Sequence, residues 1–238
     1  MILVLTMAGR YQRFLDAGHK LPKYLLPWGD KTVLSAILAE LQKANTFDEV
    51  FLIANHRDEA YMPHVRAIMR TANIPPAHLV MTHDTKGQAT TAMLGVQAIE
   101  TTSKRPSAPV VFHNIDTVVL DRDTNQIARA LSTYDGYIDV FSSQNAAYSY
   151  VLVDENRRVI EIAEKIVVSD LATSGLYGFR SAATYRDSYN EDDMYISAVY
   201  KRMISRGASI LASATHPERD TIVLGTPLEY MNAALVSL

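Results

Sequence analysis

The chain begins with the stretch MILVLTMAGRYQRF, residues 1–14, and this stretch decides the fold. Residues 2–6 form a short apolar run rich in β-branched side chains, and a glycine-containing loop follows at once, which together indicate a buried strand. Similar runs recur along the first half, between segments whose apolar residues are spaced three and four apart. This alternation predicts a mostly parallel sheet covered by helices. The predicted strands span residues 2–6, 50–54, 79–82 and 110–114, and the predicted helices span residues 32–44, 58–71 and 88–101.

The second half of the sequence has a different pattern, with four strand-like runs close together. They span residues 136–142, 148–154, 157–163 and 173–179. Turn-forming residues at 154–157 predict a hairpin between the middle two runs, so we expect a small antiparallel layer here. A helix over 193–206 that ends at Gly207, a strand over 209–212 and a last helix after Pro227 follow. The expected fold is α/β, a Rossmann-like mixed, mostly parallel sheet flanked by helices, in a single domain over residues 1–238.

The composition excludes several broad classes of protein. The 238 residues include 26 acidic and 23 basic side chains, a net charge of −3, and no cysteine. Without cysteine there is no disulfide, thiolate nucleophile or cysteine-ligated zinc, and the chain fits a cytoplasmic location. Charges of both signs are interspersed, so no nucleic-acid partner is predicted. The apolar start is far shorter than a membrane-spanning helix, so we expect neither a signal segment nor membrane insertion.

The loop after the first strand carries the strongest chemical signal in the sequence. Gly9 allows backbone N–H groups to approach a phosphate, Arg13 offers a fork of donors to phosphate oxygens, and Lys23 offers a compact charge to one phosphoryl group. In a parallel sheet, such loops at the carboxyl ends of strands form the ligand crevice. Taken alone, these residues are as consistent with a solvated surface loop.

The same segment resembles the signature of the nucleotidyltransferase family that includes the sugar-1-phosphate nucleotidylyltransferases. In that family a strand leads to a glycine-containing loop with an arginine and, about ten residues later, to Pro-Lys. Here these residues are Gly9, Arg13 and Pro22-Lys23. The resemblance implies a GT-A-like nucleotidyltransferase fold. The residues of this loop that it assigns to the nucleotide are Met7, Ala8 and Gly9.

Further segments extend the resemblance over nearly the whole chain. Residues 85–92 resemble the segment that contacts the nucleobase, through Gly87 and Gln88, although alone they also fit a plain helix start. Residues 112–117 resemble the Asn-x-Asp motif, whose Asp116 would hold Mg²⁺ against the nucleotide phosphates. Two later segments resemble the acceptor pocket of the family. The acceptor-binding residues that they imply are Glu164, Lys165, Ser174 and Gly175.

Two positions depart from the family pattern. Tyr11 stands where the family usually has a second glycine, and its bulk is expected to narrow the room beside the triphosphate. Val223 stands where the family commonly has the aspartate that supplies a second metal ligand, and valine cannot coordinate Mg²⁺. Three outcomes are open: Asp116 holds the ion with phosphates and waters, Asp220 substitutes for the missing ligand, or metal-dependent turnover is weak.

The resemblance implies an enzyme that transfers a nucleoside monophosphate from a nucleoside triphosphate to a small phosphorylated acceptor and releases pyrophosphate. A sugar 1-phosphate is the first choice of acceptor. The implied catalytic residues are Arg13 on the β- and γ-phosphates, Lys23 on the α-phosphate and Asp116 on the Mg²⁺ cofactor. The nucleotide-binding half would cover about residues 1–120, and the acceptor-binding half about residues 121–238.

Other functions stay open at the level of sequence. Tyr11 and Val223 leave room for a nucleotide-binding or regulatory homologue with weak or no turnover, and the acceptor could be a non-sugar phosphate, as in a phosphocholine-like cytidylyltransferase. A glycosyltransferase ranks lower, because residues 114–116 lack the first aspartate of an Asp-x-Asp motif. A Rossmann dehydrogenase would require Gly-x-Gly-x-x-Gly after the first strand. The nucleobase and the assembly of the chain, including a homo-oligomer, stay open too.

Overall fold

The computed structural model describes residues 1–236. The strands in chain order are β1 (Ile2–Thr6), β2 (Pro27–Trp28), β3 (Lys31–Thr32), β4 (Glu49–Asn55), β5 (Leu79–Thr82), β6 (Val110–Asn114), β7 (Thr117–Val119), β8 (Gly136–Ser142), β9 (Ser149–Val153), β10 (Val159–Glu164), β11 (Leu171–Phe179), β12 (Ile210–Ala212) and β13 (Thr221–Val223). The α-helices are α1 (Gln12–Asp16), α2 (Val33–Leu41), α3 (Met62–Thr71), α4 (Gln88–Thr102), α5 (Thr124–Thr133), α6 (Ala182–Ser188), α7 (Ile196–Ser205) and α8 (Pro227–Val236).

Within residues 1–236, a nine-stranded mixed sheet forms the centre of the protein, in the main order β10-β9-β11-β6-β1-β4-β5. β1 lies between β4 and β6 and is parallel to both. β11 then pairs antiparallel with β6 and with β8, and β12 continues beyond β8. The second half of the chain therefore extends the sheet of the first half. The predicted α/β class and the antiparallel layer, including the hairpin between β9 and β10, are confirmed.

The two faces of the sheet explain why β1 is apolar from Ile2 to Leu5. Leu3 and Leu5 belong to the core under α2, α3 and α5, whereas Ile2 and Val4 belong to the core under α4, α6 and α7. A strand that is covered on both faces has no solvent side, so it reads as a continuous apolar run. The first strand therefore anchors the fold from both sides.

Local features explain where two of the predicted helices begin in the structure. α2 begins one residue later than expected, because Thr32 caps it and its hydroxyl oxygen accepts from the Ser35 N–H at 3.2 Å. The helix predicted from residue 58 starts as a 3₁₀ turn over His56–Tyr61, and α3 begins only at Met62. Pro63 has no N–H to continue that turn and is tolerated in the first turn of a helix.

The connections at the carboxyl ends of β1 and β6 position the site. β1 leads into the loop with Gly9 and α1, and β6 leads through Asp116 into β7, which pairs antiparallel with β13 from near the end of the chain. This pairing brings residues 221–225 beside the turn after β6. In the part of the chain described here, none of the helices is both long and apolar enough to cross a membrane.

Candidate functional site

A cleft with two lobes lies at the carboxyl ends of β1 and β6. Lobe A, of about 690 Å³, lies against the loop after β1 and the start of α4; its lining includes Ala8, Gly9, Lys23, Asp84 and Gly87. Lobe B, of about 280 Å³, lies against β10, β11 and the start of α8; its lining includes Arg13, Ser149, Glu164, Lys165 and Glu229. The residues that line both lobes are Gln88, Asn114, Asp116 and Tyr195. The two lobes therefore adjoin, and Asp116 lies at their junction.

An ion pair lies at this junction. Lys23 Nζ donates to Asp116 Oδ2 at 2.8 Å, and the two side chains are 15% and 30% exposed. Burial by itself would raise the pKa of Asp116, but the charge and the hydrogen bond of Lys23 outweigh it and lower that pKa below its ordinary value. Asp116 is therefore an anion at neutral pH, held by a cation that also faces lobe A.

The loop after β1 contributes to both lobes. Ala8 and Gly9 line lobe A, whereas Arg13, in the short helix α1, lines lobe B together with Lys165. Met7 is buried in the core and lines neither lobe. A Cβ at Gly9 would meet no atom of residues 1–236 within 4 Å, so the glycine leaves its space open to lobe A.

Tyr11 differs from its expected role. Its backbone φ is −108°, which is outside the left-handed region, so the side chain causes no backbone strain. The residue is 8% exposed, and its ring lies in the core and lines neither lobe. Its hydroxyl donates to Asp58 Oδ1 at 2.7 Å, behind the loop. The prediction that Tyr11 narrows the room beside the triphosphate is wrong, because a buried carboxylate draws the phenol away from the cleft.

Gln88 lines both lobes, whereas Gly87 lines lobe A. A Cβ at Gly87 would lie 2.3 Å from the Met194 carbonyl oxygen, so only glycine permits this close approach of the loop before α7. The Gln88 amide donates to Asn114 Oδ1 and accepts from the Ile196 N–H at 3.3 Å. Gln88 therefore braces α4 against β6 and α7, in addition to lining both lobes.

The predicted acceptor residues come together in lobe B. Glu164 accepts from the hydroxyls of Ser149 and Ser197, the latter at 2.7 Å. Lys165 Nζ donates to the Tyr195 hydroxyl at 2.8 Å and lies 4.8 Å from the centre of its ring. The hydrogen bond to Tyr195 raises the pKa of Lys165, so the side chain is a cation at neutral pH. Lobe B therefore presents a carboxylate at one point and an ammonium at another.

Ser174 and Gly175 form the floor of lobe B. Gly175 has a φ of +89°, and a Cβ there would lie 2.7 Å from the Asn114 side-chain nitrogen. Both the left-handed backbone and the close approach require glycine. The glycine thus lets the bulge of β11 pack directly on the end of β6.

The structure places a carboxylate near Asp116, but not the one considered from the sequence. Asp220 lines neither lobe, and its carboxylate lies 3.6 Å from the Arg219 guanidinium. Val223 lines lobe B and packs on the small core of Phe141 and neighbours. Glu229 lines lobe B, and a Cβ at Gly225 would lie 3.4 Å from Glu229 Oε2 and 3.8 Å from Asp116 Oδ2. The same Glu229 Oε2 accepts from the Thr226 N–H at 2.8 Å at the start of α8.

The donor set at this point suits a hard cation that keeps most of its waters. Among the residues that the structure describes, no three His, Asp or Glu side chains cluster as a metal cage. Mg²⁺ commonly takes one or two protein carboxylates and completes its shell with water and substrate phosphates. Asp116 at the junction of the lobes meets that requirement, so the residues present fit the ion.

Several lining residues have no signal in the sequence. Tyr195 lies between the lobes because α7 begins beside Gly87, and Tyr148 and Ser149 reach lobe B from the start of β9. None of them belongs to a local motif. Asn114, at the end of β6, lies within residues 112–117, the segment that resembles the Asn-x-Asp motif. Their positions depend on strand pairing between distant parts of the chain.

Comparison with known proteins agrees with this arrangement. A sequence profile described as the MobA-like NTP transferase domain matches residues 3–179, which run from β1 to the end of β11 and include the lining residues of both lobes up to Tyr177. The chain belongs to this family. The predicted nucleotidyltransferase family and its fold are therefore confirmed. No curated protein matches the sequence.

Solved structures resemble this MobA-like NTP transferase domain along almost its full length. The nucleoside-diphosphate-sugar pyrophosphorylase from Vibrio cholerae RC9 has a TM-score of 0.85 and 25% identity, over 98% of this chain and 99% of that chain. A UDP-glucose pyrophosphorylase complexed with UDP-glucose has a TM-score of 0.75 and 14% identity, over 99% and 97% of the two chains. The inositol-1-phosphate CTP transferase from T. maritima has a TM-score of 0.70 and 13% identity, over 99% and 95%. The latter two share the fold with this MobA-like domain.

Proposed function

We propose that the protein transfers a nucleoside monophosphate from a nucleoside triphosphate to a small phosphorylated acceptor, with a sugar 1-phosphate as the preferred acceptor, and releases pyrophosphate. The observation that carries the proposal is the Lys23–Asp116 pair at the junction of two lobes, one lined by a glycine-containing loop and the other by a carboxylate and an ammonium. The relative from Vibrio cholerae, a nucleoside-diphosphate-sugar pyrophosphorylase, supports the same class of reaction.

The nucleotide occupies lobe A in this proposal. Its phosphates lie along Ala8 and Gly9, whose backbone N–H groups donate to them, and its base lies near Gly87. Lys23 contacts the α-phosphate, where negative charge builds during the reaction. This assignment places the reacting phosphorus at the junction, beside Asp116.

The acceptor occupies lobe B. Lys165 neutralises its phosphate, and Glu164 accepts a hydrogen bond from a hydroxyl of the sugar. The hydroxyls of Ser149 and Ser197 donate to the Glu164 carboxylate and hold it in place. The sugar hydroxyl therefore donates to a carboxylate whose position is already fixed. A polyhydroxylated phosphate suits this lining because its phosphate pairs with Lys165 and one of its hydroxyls donates to Glu164.

The reaction itself needs no strong base. An oxygen of the acceptor phosphate attacks the α-phosphorus and forms a new P–O bond. The bond between the α-phosphorus and the oxygen that bridges it to the β-phosphorus breaks. That oxygen leaves with pyrophosphate and keeps the electron pair. A phosphate monoester is an anion at neutral pH, so orientation and charge neutralisation by Lys23 and Lys165 carry the catalysis.

Mg²⁺ is the cofactor of this proposal; Asp116 would hold it, and substrate phosphates and water would complete its ligands. When bound, the ion neutralises phosphate charge and holds the phosphates in register. Asp116→Asn is expected to abolish the magnesium dependence of the reaction, and an unchanged magnesium titration would remove Asp116 from this role.

Arg13 needs a separate test, because its guanidinium lines lobe B rather than lobe A. The sequence assigned it to the β- and γ-phosphates, which stays a prediction. If Arg13 serves the acceptor, Arg13→Ala raises KM for the acceptor about 10-fold and leaves KM for the triphosphate within twofold. The reverse pattern would return Arg13 to the triphosphate.

The proposed function is tested by pyrophosphate release from each common nucleoside triphosphate, in the presence of Mg²⁺ and each of a panel of acceptors. The panel contains glucose, mannose and inositol phosphates, with phosphocholine as the non-sugar arm. We expect release only when both substrates are present, and fastest with a sugar 1-phosphate. Tight nucleotide binding by calorimetry without product from any acceptor would instead favour a regulatory homologue. Val223, at the position of the usual second metal ligand, is the remaining sequence feature that supports this alternative.

A further inference from the structure

A buried carboxylate lies behind the loop that follows β1. Asp58 has no exposed surface, and it follows β4 in a 3₁₀ turn, on the side of the loop away from the cleft. The Tyr11 hydroxyl donates to its Oδ1 at 2.7 Å, and the Tyr24 hydroxyl donates to its Oδ2 at 3.0 Å. Each oxygen of one carboxylate therefore holds one tyrosine.

The two tyrosines occupy the two arms of the loop. Tyr11 follows Gly9 by two residues, and Tyr24 follows Lys23 directly. Burial first, and Asp58 next, raise the pKa of both phenols, so each keeps its proton and donates. Asp58 therefore binds both arms of the loop: the arm with Gly9, which lines lobe A, and the arm with the Lys23 ammonium.

Arg57 extends this connection to the cleft. Its guanidinium donates to the Gly9 carbonyl oxygen at 3.1 Å and to Asp84 Oδ1 at 2.8 Å, and it lies 5.4 Å from the centre of the Tyr11 ring. Its Nε is 3.7 Å from Asp58 Oδ1. The charge of the buried carboxylate is therefore balanced by a side chain that also fixes the backbone of the loop.

We propose that Asp58 is a positioning residue, which holds Gly9 and Lys23 in place on opposite arms of the loop through the hydroxyls of Tyr11 and Tyr24. The proposal rests on the proposed function, because it concerns how the phosphate-contacting groups are placed. It also accounts for Tyr11 at a position where the resembling family usually has glycine. Where glycine would leave the backbone flexible, the Tyr11 side chain anchors the loop to the core through its hydrogen bond to Asp58.

The variants that carry the test are Tyr11→Phe and Tyr24→Phe, since each removes one hydroxyl and keeps the ring. Substitution of Asp58 itself would leave the buried hydroxyls of Tyr11 and Tyr24 without their acceptor, so a failure to fold would not be informative. Tyr200→Phe is the matched control, because its hydroxyl is also buried and donates to the carbonyls of Tyr137 and Gly178, and Tyr200 lines neither lobe.

A double-mutant cycle separates positioning from stability. Tyr24→Phe should lower kcat about 10-fold when Lys23 is present and less than twofold in the Lys23→Ala background, because the hydroxyl then has no ammonium to place. Tyr200→Phe should leave kcat unchanged. Equal losses from Tyr24→Phe in both backgrounds, or an equal loss in the control, would overturn the proposal.

A second measurement works without any substrate. Hydrogen–deuterium exchange of the peptides covering residues 7–14 and 22–26 should speed up at least about 10-fold in Tyr11→Phe and Tyr24→Phe, but not in Tyr200→Phe. Unchanged exchange in the two variants would overturn the tie to Asp58. If the wild-type protein forms no product but the exchange result holds, the proposed function fails and the positioning of the loop stands.

Discussion

Replacement of Lys23 by methionine removes the ammonium at the junction of the lobes and keeps most of the side chain's volume. Asp116 then keeps its charge without the cation that lies 2.8 Å from it. Two effects follow, one on folding and one on turnover, and the structure gives a magnitude for each.

The effect on folding comes from a partly buried ion pair. Two unit charges 2.8 Å apart attract by about 6 kcal/mol at an effective dielectric constant of about 20, and by about 1.5 kcal/mol in water. The side chains are 15% and 30% exposed, so lost hydration offsets much of this attraction. We expect Lys23→Met to lower the free energy of unfolding by about 1–3 kcal/mol at pH 7.

The effect on turnover comes from the charge that develops on the reacting phosphate. Loss of one preset donor to such a charge typically costs about 2.7–4 kcal/mol of barrier, or 10²- to 10³-fold in kcat. Lys20→Met is the matched control, because Lys20 belongs to the same loop but is exposed and lines neither lobe. It should leave kcat within twofold.

Urea denaturation and steady-state kinetics measure the two effects. In the Asp116→Asn background, Lys23→Met should cost less than about 1 kcal/mol of stability, because no carboxylate charge is left unpaired. The reasoning is refuted if the stability loss is the same in both backgrounds, or if Lys20→Met slows turnover as much as Lys23→Met does.

The remaining predictions concern two glycines and a buried histidine. Gly87→Ala should lower the free energy of unfolding by about 1–3 kcal/mol, since its Cβ would lie 2.3 Å from the Met194 carbonyl oxygen, whereas Gly9→Ala should preserve stability and weaken triphosphate binding. Thermal melts measure the stability of both variants, and calorimetry measures their binding of the triphosphate. Equal melting temperatures for the two variants would contradict this prediction. His113 is fully buried, and burial lowers its pKa, so below about pH 6.5 the unfolded state binds the extra proton and stability falls as pH drops, by up to about 1.4 kcal/mol per pH unit. Urea denaturation from pH 7.5 to 5 should show this slope, and His113→Gln should flatten it; an unchanged slope in that variant would assign the effect to other groups.

The strands of the first half could be predicted from the sequence because their signal is local. The predicted bounds 2–6, 79–82 and 110–114 are those of β1, β5 and β6, and 136–142 are those of β8. β1 is buried on both faces and forms a short apolar run, and the other three are short runs rich in apolar residues, so local sequence was enough to place them.

Two other elements were not predicted, for different reasons. The helix α5 has a local signal that the prediction missed, because Ile127, Ala130 and Leu131 are buried at helical spacing and Asp123 caps its start. The pair of β7 with β13 joins three-residue strands about a hundred positions apart, which no local pattern indicates. These two strands pair because the rest of the fold brings them together.

The candidate site divides in the same way. Lys23 and Asp116 were predicted from motifs, and the structure brings them into contact. The inward turn of Tyr11 depends on Asp58, 47 residues away, and the position of Tyr195 depends on the close approach of Met194 to Gly87. Side-chain direction in a loop is set by its distant partners, so a bulky residue in a motif does not by itself predict obstruction.

The most direct test of the account is a ³¹P NMR spectrum of the protein with Mg²⁺, a nucleoside triphosphate and a sugar 1-phosphate. The account predicts free pyrophosphate and a pair of mutually coupled resonances from a new diphosphate that joins the α-phosphorus to the sugar phosphate. Inorganic phosphate with nucleoside diphosphate, and no new coupled pair, would mean that the bond to the γ-phosphorus breaks, and would contradict it.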